Sequence, residues 1–246
     1  MDSGYYAACT ALKTQSNALE LIANNVANVN TTGYRGQIAS FESHLVEAPN
    51  PRPSNGWSQL INQFAILNGT RLDLAEGNLE RTGNPLDLAL DGPGFFAVQT
   101  KAGVLYTRDG NFRLSATGQL TTAAGDAVLG AAGPINVPAN AQIAIGPDGT
   151  ISVAGAVTGK IRLVEFRADA KVAAVGGLYY SAPAAAVAPA LRTQIRAGML
   201  ESSNVNPVAA VVALITAQRQ ADMVGRAMSA FYSDFNRVAA NELPRL

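Results

Sequence analysis

The sequence predicts a mixed α+β chain, with paired N- and C-terminal coiled-coil-type helices flanking a central, mostly-β barrel or sandwich domain. Two of the observations behind this concern the ends. From Tyr5 to Val29, apolar or small side chains return every three to four positions, at Tyr5, Ala8, Leu12, Gln15, Leu19, Ile22, Val26 and Val29. From Val208 to Val238 they return at Val211, Leu214, Ala217, Ala221, Val224, Met228, Phe231, Phe235 and Val238. Alternating steps of three and four mark a coiled-coil seam rather than the wider face of a globular helix. The third observation concerns the middle, where short alternating apolar runs are separated by glycine-containing turns.

Residues 1–34 hold the first helix. Ser3 can cap it, and Gly33 supplies a position tolerant of positive φ beyond its end near Asn28–Asn30. Asn24, Asn25 and Asn28 are poor helix formers because their amides compete for backbone hydrogen bonds. Either the end frays, or these amides bond to neighbouring chains and fix register, as a buried seam asparagine does. Residues 35–78 form an extended connector, since Pro49, Pro51, Pro53 and Asn55-Gly56 exclude a long helix. Trp57, the single tryptophan, either pins this connector to the body or contacts another subunit.

Residues 79–181 are the central β domain. Leu86, Leu88 and Leu90 alternate with Asp87, Ala89 and Asp91, the pattern of a half-buried strand. Gly92-Pro93-Gly94 turns the chain into Phe95-Phe96-Ala97-Val98. Val104 to Thr107, Phe112 to Leu114 and Gln119 to Thr121 follow, separated by Arg108-Asp109-Gly110-Asn111 and Ala116-Thr117-Gly118. Gly146-Pro147-Asp148-Gly149 is a hairpin turn joining Ile143–Ile145 to Thr150–Val153. Residues 182–202 are an alanine- and proline-rich return segment. Residues 203–246 hold the last helix, with Asn206 as cap and Pro207 in the first turn, where its missing N–H costs nothing.

Lys plus Arg and Asp plus Glu number 18 each, so the net charge is zero, and only 15% of residues are charged. That removes the electrostatic case for nucleic acid or an anionic membrane. No window approaches the roughly 20 continuous apolar residues of a membrane span, so no membrane insertion is expected. Asp2, Lys13, Glu20 and the asparagines interrupt any secretory leader, so the protein is expected either to stay in the cytosol or to leave by a route that reads no such signal. One cysteine, Cys9, and one histidine, His44, exclude an intrachain disulfide and a Cys/His metal set. Asp87, Asp91 and Asp109 sit at strand edges or turns, where aspartate is ordinary. Gly92-Pro93-Gly94 lacks the Lys-Ser/Thr pair of a phosphate loop. The expectation is no enzyme, no cofactor, no metal and no small-molecule substrate.

Three stretches in order carry a resemblance. Ala23-Asn24-Asn25-Val26-Ala27-Asn28-Val29-Asn30-Thr31-Thr32-Gly33-Tyr34-Arg35 resembles the N-terminal signature of bacterial flagellar rod and hook proteins. Leu86 through Phe96, Tyr106-Thr107-Arg108-Asp109-Gly110-Asn111-Phe112 and Gly118-Gln119-Leu120 are similar to their middle region. Glu201-Ser202-Ser203-Asn204-Val205-Asn206-Pro207 with Ile215-Thr216-Ala217-Gln218-Arg219 is similar to their C-terminal signature. Arg35 stands where lysine is common in the family, which keeps the charge. The length and the opening Met1-Asp2-Ser3-Gly4-Tyr5-Tyr6 resemble the rod members, the proximal rod first and the distal rod second.

The resemblance implies a structural subunit of the rod, a drive shaft crossing the periplasm, exported by the flagellar type III apparatus. Its terminal helices would form the axial core, contacting other rod subunits and copies of itself. The expected subunit-interface residues are Leu12, Leu19, Ile22, Asn24, Asn25, Val26, Asn28 and Val29, with Leu214, Ala217, Gln218, Arg219, Val224, Met228, Phe231 and Phe235. The alternative is a secreted binding module carried on a helical stalk.

Overall fold

The computed structural model describes residues 2–42, 66–138, 143–167 and 170–242, and among them are nineteen strands, two α-helices and one 3-10 turn at Ala184–Ala186. Helix α1 spans Asp2–Ala27 and helix α2 spans Pro207–Glu242. In chain order the strands begin with β1 (Gln37–Glu42), β2 (Ile66–Leu72), β3 (Leu79–Arg81), β4 (Leu88–Asp91), β5 (Gly94–Thr100) and β6 (Gly103–Thr107). Then come β7 (Phe112–Leu114), β8 (Leu120–Thr122), β9 (Ala127–Gly130), β10 (Gly133–Pro134), β11 (Ile143–Ile145), β12 (Thr150–Val153) and β13 (Ala156–Lys160). The last are β14 (Leu163–Phe166), β15 (Ala173–Ala174), β16 (Tyr179–Ser181), β17 (Val187–Pro189), β18 (Gln194–Ala197) and β19 (Met199–Glu201). His44, Trp57 and the proline triplet lie outside the described residues, as do the side chains of Cys9, Phe231 and Phe235.

The chain divides into two compact units. The larger comprises residues 27–36 and 71–205. Its main element is a ten-stranded half-barrel sheet ordered β15-β16-β6-β5-β9-β8-β7, with β10 added to β9, β14 to β5 and β17 to β14. A three-stranded sheet β11-β12-β13 and two short ladders, β18-β4 and β19-β3, complete it. The Gly146–Gly149 turn does form a hairpin: Ile143 faces Val153 across an antiparallel pair, and Gly149 N–H bonds to Gly146 O at 3.0 Å.

Strand β5 explains how this unit is filled. Phe96 and Val98 point into one apolar cluster with Leu88, Leu90, Phe112, Leu120 and Ile151. Phe95 and Ala97 point to the other side, into a second cluster with Tyr106, Val164, Phe166 and Tyr180. A strand alternates its side chains between two faces, so β5 is buried on both because apolar residues occupy both sets. Phe96 meets Phe112 edge-on at 4.9 Å, and Phe95 lies 4.6 Å from Phe166. The same logic corrects the half-buried reading of β4, where Leu88, Ala89 and Leu90 are all buried. Ala89 is small enough to be covered on the face expected to be open.

The smaller unit comprises residues 1–26, 37–70 and 206–246. Asn206 caps α2 as expected, its Oδ1 accepting from Ala209 N–H at 3.0 Å. The paired coiled-coil helices do not form, and the chain is mostly β, with one C-terminal helix and a shorter N-terminal one. Among the described residues the helices meet at a polar contact, where Gln15 Nε2 donates to Ala217 O at 2.9 Å and lies 3.4 Å from Gln220 Oε1. Seam packing needs bulky knobs on both helices. Here the meeting positions are glutamine and alanine, which offer little apolar area, while Leu12 and Val211 are exposed.

Candidate functional site

The least expected feature of the larger unit is a buried charge cluster made by three distant segments. Arg35, Arg108 and Glu201 have side chains exposed by no more than 1%. Arg35 Nη2 donates to Glu201 Oε1 at 2.6 Å, and Arg108 Nη1 donates to Glu201 Oε2 at 3.2 Å. The carboxylate also accepts Gly77 N–H at 2.7 Å. Arg108 reaches further, to Leu90 O at 3.3 Å and Gly92 O at 2.6 Å, with its guanidinium 5.0 Å from the Phe95 ring centre. Burial pulls the Arg108 guanidinium down to about 10, against the pull of Glu201 the other way, so it stays charged at neutral pH.

Local chemistry places each group. Gly33 holds φ at +68°, and a Cβ there would lie 2.3 Å from Asp109 N. Only glycine meets both demands. Its N–H donates to Glu201 O at 2.8 Å, which brings Arg35, two residues on, to the carboxylate. Thr32 Oγ1 donates to Asp109 Oδ1 at 3.1 Å, tying the same loop to the turn after β6. Arg35 N–H donates to the Tyr180 hydroxyl at 3.0 Å, and burial pushes that phenol up to about 12. Asn204 completes the junction. Its Oδ1 accepts Gly36 N–H at 2.7 Å and its Nδ2 donates to Asp73 O and Ala75 O, both at 3.0 Å.

This arrangement does no chemistry on a substrate. Every polar atom named is spent inside the protein, and the cluster is sealed from solvent. Among the described residues no group of His, Cys, Asp and Glu could hold a metal, and no helix is long and apolar enough to cross a membrane. What the cluster can do is fix geometry. One carboxylate joins the loop after α1, the turn after β6 and the strand that leads to α2.

The interface residues expected from sequence are distributed over both helices. Leu12, Asn24, Gln218 and Arg219 are exposed, and Leu19, Ile22, Val26, Val29, Leu214, Val224 and Met228 are half-buried. Ala217 is buried where Gln15 meets it. Two asparagines act within their own chain. Asn25 Nδ2 donates to Gln37 O at 2.8 Å and its Oδ1 accepts Gln37 N–H at 2.9 Å, so the amide splints the end of α1 to the start of β1. Asn28 Oδ1 accepts from Thr31 Oγ1 at 3.2 Å. Arg35, Arg108, Glu201 and Asn204 were not singled out as site residues, although each lies in a quoted signature. The available signal was a charged residue repeated in each signature of a chain otherwise poor in charge.

Three protein-family models match the chain. "Flagella basal body rod protein" covers residues 6–35, "Flagellar hook protein FlgE/F/G D1 domain" covers 89–153, and "Flagellar basal body rod FlgEFG protein C-terminal" covers 196–233. Each contributes one member of the charge cluster: Arg35, Arg108 and Glu201 in turn. The chain is 35% identical over 235 residues to the flagellar basal-body rod protein FlgF of Caulobacter vibrioides, covering 93% of each. It is 34% identical over 265 residues to FlgF of Escherichia coli, covering 99% of this chain and 98% of that one. It is 32% identical over 247 residues to the flagellar basal-body rod protein FlgG of Agrobacterium fabrum, covering 88% and 90%. Relatives this similar over nearly their whole length, with all three segments matched in order, place the chain in the family of flagellar basal-body rod proteins.

Proposed function

We propose that this chain is a structural subunit of the flagellar basal-body rod, built into it through the apolar faces of its terminal helices. Its relatives are structural rod proteins and not enzymes. The observation that carries the helix-mediated assembly is an open stripe on α2. Val208, Val211, Val212 and Ile215 follow one another at helical spacing, exposed by 73%, 45%, 57% and 46%. A stripe at i, i+3, i+4 and i+7 is one face of a helix, and a contiguous exposed apolar face is a candidate interaction site. The occupants we propose are other rod subunits and further copies of this chain. The interface then comprises the residues named from sequence on α1 and α2, extended by Val208, Val212, Ile215 and Met223.

Burial of one large aliphatic side chain is worth roughly 1.5–3 kcal/mol. A few such contacts per neighbour, repeated around a rod, suffice to hold a shaft that carries torque. Export by the flagellar type III apparatus and a span across the periplasm belong to the same reading. The likeness to FlgF, 32–35% against 30–32% for FlgG, supports the proximal segment of the rod.

Deleting the gene and imaging purified basal bodies by electron microscopy tests this. Rods missing or truncated at the inner-membrane side, with no hook beyond, are the expected result. Rods shortened only distally would move the assignment to the distal segment. Intact basal bodies with normal swimming would overturn the rod reading.

A further inference from the structure

In the ladder β19-β3 nothing in the apolar pattern of β3 sets its register. It pairs Met199 with Arg81, Leu200 with Glu80 and Glu201 with Leu79, and all three residues of β3 are exposed. Register is specified strongly where one face of a strand is buried and weakly where it is not. β3 is flanked by residues 73–78, which lack regular structure, and by residues 82–87, which hold a turn and the bridge between Asp87 and Asn111. Along the chain this ladder stands just before α2, since Glu201 is six residues ahead of Pro207, the first residue of α2.

We infer that Glu201, held by Arg35 and Arg108, is a positioning residue that sets the register of β3 through the N–H of Gly77. The carboxylate is fixed on one side by two guanidinium groups at 2.6 and 3.2 Å. On the other it takes Gly77 N–H at 2.7 Å, two residues before β3 begins. A slide of two residues keeps the faces of β3 but moves its backbone by roughly 6.6 Å, about twice the rise per residue, so that bond is lost. The residue brought opposite would carry a Cβ where Gly77 has none, and at Gly77 a Cβ would stand 2.0 Å from Ser202 O.

Stability alone does not account for the cluster. Buried charges give up hydration, and well-packed apolar residues often serve as well or better. Two cations share one anion here, and Arg35 Nε and Nη1 and Arg108 Nε have no hydrogen-bond partner among the described residues. Each of the three family segments brings one charge, so the cluster closes only where all three meet.

Cysteine cross-linking in the full chain, with Cys9→Ser as background, reads the register directly. Glu80→Cys with Leu200→Cys reports the native pairing; Asn78→Cys or Thr82→Cys with Leu200→Cys reports a slide of two in either direction. With the charges intact, only the native pair should cross-link efficiently. In Arg35→Met/Arg108→Met/Glu201→Leu, which leaves no unpaired charge, cross-linking of a slipped pair should rise by roughly tenfold or more relative to the native pair. Glu201→Gln should raise it less, because its amide oxygen can still accept from Gly77. Native-only cross-linking in both variants overturns the inference. So does loss of the folded near-ultraviolet circular dichroism in both, which would make the charges a requirement of the core and not of the register.

Discussion

Phe96 and Val212 are both large apolar side chains in regular secondary structure, and they have opposite fates. Phe96 is wholly buried and meets Phe112 within its own chain. Val212 stands more than half exposed on α2, beside Val208 and Ile215. The first belongs to a unit whose two apolar clusters close within the chain. The second belongs to a helix whose apolar face is open. The contrast separates two kinds of requirement within one sequence: residues of the body answer to folding, and under the proposed function residues of the helix faces answer to assembly.

The sharpest way to break this contrast is inside the body. Glu201→Leu leaves Arg35 and Arg108 buried without their anion, and should cost about 3–5 kcal/mol. In a chain of this size that lowers the midpoint of thermal unfolding by roughly 10 °C or more. Gly33→Ala comes next. It meets both a positive φ and the backbone of Asp109, and should cost about 1–3 kcal/mol, read by the same melt. Asn206→Ala removes only the cap of α2 and should cost about 1 kcal/mol, seen as lost helical signal at 222 nm near the melting range.

The smallest expected effect depends on pH. Burial holds the Asp109 carboxyl above its ordinary value, so the folded chain binds that proton more readily than the unfolded one. Stability from this source is fully present below the unfolded value and is lost as pH rises through the folded one. Asp109→Asn keeps an oxygen for Thr32 Oγ1 and Asn111 N–H, and should flatten that part of the melting-temperature profile. An unchanged slope in Asp109→Asn would show that Asp109 does not titrate in this way.

How much of this was legible in the sequence follows from the range of each interaction. The Gly146–Gly149 hairpin and the Asn206-Pro207 helix start are set by neighbours a few residues away, and both could be read from turn and cap chemistry. The burial of β5 on both faces depends on what the half-barrel places over Phe95 and Ala97, and a period of two does not say whether the second face is covered. The spacing on α1 and α2 predicts paired coiled-coil helices with seams for other subunits, and that pairing does not form. Spacing shows that an apolar stripe faces something, not that the partner lies in the same chain. The pairing within the charge cluster was hidden for a plainer reason. Arg35 and Arg108 lie 166 and 93 residues from Glu201 along the chain, beyond any local pattern.

The measurement that bears most directly on the contrast is a pair of experiments on one variant, Val212→Asp/Ile215→Asp. Both positions are exposed in the single chain, so surface behaviour is expected and the thermal midpoint of the purified protein should stay within about 1–2 °C, for an effect inside ±0.5 kcal/mol. Placed against a neighbour, two charges would be buried unpaired, and cells carrying only this variant should lack complete rods and fail to swim. Unchanged stability with lost assembly is the result the account predicts. Normal swimming, with rods intact in purified basal bodies, would contradict it.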